Sequence, residues 1–84
     1  MKEIDEDVFQ LSKTEYEKAR ERATKNSGWV STIGSVNYFV RKTRNGFDLY
    51  ERSVDLNSDG GTYYMRYKNV SKKWIKEISG IEVD

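Results

Sequence analysis

The sequence predicts an α+β domain, in which two helices accompany an antiparallel four-stranded meander. The dipeptide Asn45-Gly46 stands between two runs rich in Val, Tyr and Phe, and this arrangement is a strong signal for a β-hairpin. Ser12 and Ser71 each precede a segment of helical character, where the serine hydroxyl can cap the first turn. The chain has 84 residues, no proline and no linker-like stretch, so we expect residues 1–84 to form one small domain.

The N-terminal part is expected to lead from a charged segment into the first helix. Residues 1–7 are mostly charged, and we expect this acidic leader to fray. Residues 8–11 are expected to be extended and to dock their apolar side chains. Ser12 and Glu15 have the spacing of a capping box, which predicts a helix from residue 13 to about residue 25. Its narrow apolar stripe consists of Tyr16, Ala19 and Ala23.

The remaining elements follow from apolar alternation, turn residues and a second helix cap. Strands are predicted at about 29–33, 36–43, 47–54 and 62–69. Ser71 begins a short helix over about 72–79, which Gly80 ends. We expect this helix to turn Trp74, Ile75 and Ile78 toward the core.

Two connections are compatible with the central hairpin. In a two-residue loop of Asn45-Gly46, Val40 faces Glu51 across the strands. In a three-residue loop that begins at Arg44 and ends in a glycine bulge, Val40 faces Tyr50. We prefer the bulged loop because more apolar side chains then meet across the strands. The bulged loop divides the side chains of the hairpin between the two faces of the sheet. One face carries Val36, Tyr38, Val40, Tyr50 and Val54, and the other carries Phe39, Arg41, Phe47, Leu49 and Glu51.

The composition argues against several classes of protein. Lys and Arg number 15 against 14 Asp and Glu, so the chain as a whole has no strong attraction for polyanions. It has neither cysteine nor histidine, which leaves no disulfide framework, no thiolate nucleophile and none of the usual zinc ligands. We find no signal-peptide pattern and no apolar run long enough to span a membrane. We therefore expect a cytoplasmic protein with no membrane association.

The segment after the central hairpin partly matches a calcium-binding loop. Asp55, Asn57 and Asp59 fit the pattern D-x-N-x-D-G, in which alternate oxygens surround the ion. The match fails at the twelfth position, where the loop needs a bidentate carboxylate and this sequence has Arg66. We therefore expect a polar turn here and predict no metal ion and no cofactor.

Cationic and aromatic side chains recur along the predicted strands and at the hairpin tip. Single-stranded nucleic acid is held by such surfaces, because bases stack on aromatic rings and phosphates need positive charge. The residues of this alternative nucleic-acid interface are Arg41, Lys42, Arg44, Tyr64, Arg66 and Lys68. Asp48 and Glu51 lie among them, and an ordinary solvated sheet surface would show the same mixture.

An apolar sheet face provides the leading candidate for a partner-binding surface. The slim N-terminal helix can leave one face uncovered, and that face would carry Phe39, Arg41, Arg44, Phe47 and Leu49. If the C-terminal helix covers it, these residues belong to the core instead. Asp48 and Glu51 are three apart on a strand and point to opposite faces, so they form no acid–base pair. We predict that the protein is not an enzyme.

The short chain, its wealth of Lys, Glu, Asn and Tyr, and a capped helix followed by a meander resemble the small accessory proteins of phages and mobile elements. Such a resemblance implies a protein that binds a larger host protein and inhibits or redirects it, and it assigns no residue. We therefore predict a non-enzymatic interaction module that binds another protein, or pairs with itself as a homodimer, with nucleic-acid binding as the alternative.

Overall fold

The computed structural model describes residues 1–26, 29–54 and 61–83. Within these ranges the chain is an α+β fold with six strands and two helices. The strands are β1 (Lys2–Asp5), β2 (Val8–Leu11), β3 (Val30–Ile33), β4 (Val36–Thr43), β5 (Gly46–Val54) and β6 (Thr62–Val70), and the helices are α1 (Lys13–Asn26) and α2 (Lys72–Ser79).

All six strands join one antiparallel sheet in the order β1-β2-β6-β5-β4-β3. The predicted meander corresponds to β3 through β6, but the predicted number of four strands is wrong. Residues 8–11 pair with β6, and residues 2–5 pair in turn with residues 8–11, so the N-terminal segment adds two strands. The mostly charged β1 gave no strand signal because its side chains are exposed on both faces. The two edges of the sheet are therefore β1 and β3.

The predicted register of the central hairpin is also wrong. Thr43 pairs with Gly46, so the turn consists of Arg44 and Asn45. Neither turn residue has a positive φ; the first residue of β5, Gly46, has φ +146°, a conformation that a side chain would disfavour. The pairing then places Phe39 opposite Tyr50 and Val40 opposite Leu49. Relative to the prediction, every β5 side chain is exchanged between the two faces, and Val36 and Val54 lie on opposite sides.

Each face of the sheet carries its own core and its own helix. The core on the α1 side consists of Leu11, Tyr16, Ala23, Phe39 and Tyr50. The core on the α2 side consists of Val40, Phe47, Leu49, Ile75 and Ile81. The rings of Phe39 and Tyr50 stack with centroids 4.5 Å apart and planes 6° apart, so the centre of the sheet is tightly packed beneath α1.

Both helices begin with the serine caps that the sequence predicts. The amide of Glu15 donates to Ser12 Oγ at 3.1 Å, while the amide of Ser12 donates to Glu15 Oε1 at 2.9 Å, which completes the capping box. The amide of Trp74 donates to Ser71 Oγ at 3.1 Å. Neither helix in the described part of the chain is long and apolar enough to cross a membrane.

The inner face of α2 differs from the prediction at its last turn. Ile75 is buried and Trp74 is half-buried, whereas Ile78 is exposed. Ser79 takes the inward position, where its hydroxyl donates to the carbonyl of Ile75 at 2.7 Å and accepts the amide of Ile81 at 3.2 Å. Ile81 can therefore fold back onto the α2-side core.

Candidate binding site

The apolar face that the sequence predicts as a partner-binding surface does not exist as an exposed patch. Phe39 is buried beneath α1, and Leu49 is buried on the opposite face, in the α2-side core. Phe47 is 9% exposed and packs in the α2-side core as well. The prediction fails because the two helices cover opposite faces. Arg41 is half-buried on the α1 side, and Arg44 is exposed in the hairpin turn.

The residues of the alternative nucleic-acid interface are not brought onto one surface. Lys42 and Arg41 are neighbours on β4 and therefore point to opposite faces. Tyr64 packs against Tyr16 of α1, with ring centroids 5.0 Å apart, so it is not an open platform for a base. Of the six residues, Lys42, Arg44 and Lys68 are exposed. Lys42 and Arg44 lie at the β4–β5 turn, away from the aromatic residues that contact α1.

Arg66, a member of that set, is engaged by a buried carboxylate. The Asp48 side chain is 0% exposed, and its Oδ2 accepts hydrogen bonds from Arg66 Nε at 3.1 Å and from Nη2 at 2.8 Å. Its Oδ1 accepts the amide of Asn69 at 3.1 Å. Asn69 has φ +56° and lies where the β5–β6 register shifts, so Asp48 fixes this irregularity as well as the guanidinium.

The residues of the calcium-loop pattern, Asp55, Asn57 and Asp59, lie outside the described residues. Within the described ranges, no group of three or more His, Cys, Asp or Glu side chains is placed to hold a metal ion.

The sheet edge formed by β3 is uncharged and largely exposed. All four of its residues are uncharged, and three of them are exposed. Val30 is 49% exposed and Ile33 is 52% exposed, although both belong to a strand of the main sheet. β-branched side chains on an uncharged edge favour the addition of another strand, because the unpaired backbone groups form a template for it.

The hydrogen-bonding pattern identifies which backbone groups are available. The amide of Val40 donates to the carbonyl of Trp29 at 3.0 Å, which makes these two residues a hydrogen-bonded pair. Such pairs alternate along an antiparallel ladder, so Ser31 and Ile33 also bond toward β4. The amides and carbonyls of Val30 and Thr32 therefore point outward, away from the sheet.

The opposite edge, β1, is protected by features that β3 lacks. Three of its four residues are charged, namely Lys2, Glu3 and Asp5. Its pairing with β2 is interrupted between Glu3 and Asp5. Charged side chains and bulges are the usual means by which proteins prevent edge-to-edge association. The two edges of the same sheet therefore differ sharply in their readiness to pair.

The surroundings of β3 extend this surface to both sides of the sheet. On the α2 side, Ser31 Oγ donates to the carbonyl of Ser79 at 2.7 Å and holds the end of α2, with its exposed Ile78, against the strand. On the α1 side, a cavity of about 100 Å³ opens between β3 and Tyr16. An added strand could therefore contact apolar side chains on the α2 side of the sheet and the small cavity on the α1 side.

The sequence predicted a strand in this region but gave it no functional role. Its position could have been inferred, because the first strand of a meander has no earlier neighbour unless another segment covers it. The uncharged run Val30–Ile33 in a chain whose residues are 35% charged was the available signal.

Comparison with protein-family models, with curated proteins and with solved structures gave no match.

Proposed function

We propose that this protein is a non-enzymatic interaction module that binds another protein by taking an extended segment of it as a seventh strand along β3. The single observation that carries the proposal is the outward-facing backbone of Val30 and Thr32 on an uncharged, exposed edge. Main-chain hydrogen bonds supply affinity in this mode of recognition, and alternate side chains supply specificity. The sequence predicted partner binding by a sheet face, whereas we now propose that the β3 edge of the sheet binds the partner.

An extended segment fits this edge better than a second copy of the chain. In a dimer with two-fold symmetry, the β3 strands of the two copies would pair antiparallel. The α1 sides of both sheets would then lie on the same side of the joined sheet. The outward groups of Val30 and Thr32 then form four hydrogen bonds around Ser31. Such a contact would rest on a strand of only four residues, whereas stable complexes bury roughly 1,200–2,000 Å². A flexible segment can continue past both ends of β3 and reach Ile78 and the recess beside Tyr16.

The composition supports a proposal about where this interaction takes place. The chain has no cysteine, so its own fold needs no disulfide from an oxidising compartment. We place its function in the cytoplasm, as an accessory protein that binds a larger protein.

A matched pair of substitutions tests the proposal. Ile33→Lys places a charge on β3, and Ile4→Lys places the same charge on β1, where Ile4 is 55% exposed and therefore closely comparable with Ile33. A random-peptide display library is selected on the unmodified protein, and the enriched peptides are measured against both variants. We expect binding to Ile4→Lys to equal that of the unmodified chain and binding to Ile33→Lys to fall by about tenfold or more.

Two results would contradict the proposal. Enriched peptides that bind Ile33→Lys as well as the unmodified protein would place the interface elsewhere. A concentration-dependent dimer without peptide, abolished by Ile33→Lys, would show that the edge pairs with its own copy and not with a partner segment. Circular dichroism of both variants provides the folding control.

A further inference from the structure

Four cationic side chains from three elements line a groove between α1 and the sheet. They are Lys18 and Arg22 of α1, Arg41 of β4 and Arg66 of β6. The groove has a volume of about 230 Å³, and the side chains of Leu11 and Tyr50 contribute to its lining. This concentration of positive charge is local, since the chain as a whole carries a net charge of +1.

The nearby carboxylates are already engaged by the fold. Asp48 is fully buried and accepts two hydrogen bonds from Arg66 and one from the amide of Asn69. Glu15 lies in the groove wall, where it accepts the amide of Ser12, and this backbone hydrogen bond is the main reason that the pKa of its carboxyl is lowered. Asp48 compensates Arg66, and Glu15 forms an ion pair with the amino group of Met1 at 3.1 Å. Lys18 and Arg41 add further positive charge to the lining, which leaves the groove electropositive.

The geometry of two arginines directs part of this charge toward the groove. Asp48 binds Nε and Nη2 of Arg66 and so fixes the plane of the guanidinium. The remaining nitrogen, Nη1, contacts the sulfur of Met1 at 3.9 Å, and a thioether is a weak acceptor. Arg41 lies opposite Asp48 in the β4–β5 register and lines the same groove. An oxyanion is a far stronger acceptor than a thioether for such a guanidinium.

We propose that this groove binds a small organic anion, with its phosphate or carboxylate group between Arg41 and Arg66 and its apolar part against Leu11 and Tyr50. The volume lies below the roughly 300–1,000 Å³ of sites for drug-sized ligands, so the ligand is small. The Tyr50 ring is held between Phe39 and the guanidinium of Arg66, whose Cζ lies 5.8 Å from the ring centroid. The site is thus preformed by the core. It does not depend on the β3 edge.

Titration with two probes tests the site and identifies the anionic group. Phenyl phosphate and benzoate are added at constant ionic strength while backbone amide shifts are recorded by NMR. We expect shifts centred on Arg41, Tyr50 and Arg66, and affinity at least about tenfold lower in Arg41→Gln. Arg44→Gln, which removes the same charge at the exposed hairpin turn, is the matched control and should bind as the unmodified chain does.

A second variant keeps the test decisive if Arg41→Gln fails to fold. Lys18→Gln changes an exposed helical position and should also weaken binding, whereas Arg44→Gln should not. Equal shifts in all variants, or shifts reproduced by sodium chloride alone, would show only general charge screening and would overturn the proposal. So would the absence of binding by both probes at about 10 mM. Ile33→Lys should bind the probes normally, which separates this site from the β3 edge.

Discussion

Arg66 holds Asp48 in the interior of the fold through two hydrogen bonds, from Nε at 3.1 Å and from Nη2 at 2.8 Å. The carboxylate joins β5 to β6 at the point where their register shifts, because its other oxygen accepts the amide of Asn69. One buried charge therefore determines both the local path of β6 and the orientation of a guanidinium in the cationic groove.

Removing this carboxylate should destabilise the fold strongly. Asp48→Ala leaves Arg66 without its counter-ion and the Asn69 amide without its acceptor, and breaking a buried ion pair costs about 3–5 kcal/mol in the free energy of unfolding. Chemical denaturation measures the loss. Glu3→Ala, which removes an acidic side chain from the exposed strand β1, is the control and should change stability little. Equal effects of the two substitutions would show that the pair contributes nothing special.

Removing the cap of α2 should have a smaller and more local effect. Ser71→Ala deletes the acceptor of the Trp74 amide, and loss of an N-cap costs about 1 kcal/mol. Thermal unfolding measures the change. Ser71→Asp restores an acceptor at the same position and should recover most of the stability. If Asp fails to rescue, the hydroxyl acts through something other than the cap.

Alkaline pH should destabilise the fold through its buried and half-buried tyrosines, Tyr67 above all. Burial, followed by the nearby Glu51 carboxylate, raises the pKa of Tyr67 to about 12 from an ordinary value of 10.0. The folded state thus favours the neutral phenol, so this contribution to stability is complete below pH 10 and is lost as the pH rises toward 12. Phenolate absorbance follows the titration.

Glu51→Gln separates the two causes in that titration. The variant keeps the burial of Tyr67 but removes the charge near its hydroxyl, which lies 3.4 Å from Glu51 Oε1. The pKa of Tyr67 should fall toward its ordinary value while remaining raised by burial. An unchanged titration curve would show that the carboxylate has no influence on this phenol.

Features that depend on local chemistry were predictable from the sequence. The capping box of Ser12 and Glu15 and the cap at Ser71 involve residues three apart, so their spacing alone indicates them. The strands of the meander, β3 to β6, were likewise visible as apolar alternation between turn residues. The apolar stripe of α1 was correct for the same reason, since Tyr16 and Ala23 are buried.

Features decided by packing between distant segments were not predictable. Comparison of cross-strand pairs favoured Val40 opposite Tyr50, but the structure pairs Val40 with Leu49, because both then enter the core beneath α2. The groove could not be predicted for a similar reason. The sequence indicates Arg41 and Arg66 only as surface cations, and it is the position of α1 that brings Lys18 and Arg22 beside them.

Amide hydrogen exchange at β3 tests the central claim most directly. In the free protein, the amides of Val30 and Thr32 should exchange rapidly, whereas those of Ser31 and Ile33, which bond toward β4, should be protected. Addition of a peptide selected as above should slow exchange at Val30 and Thr32 specifically. A bound peptide that leaves these two amides as fast as in the free protein would contradict strand addition at this edge.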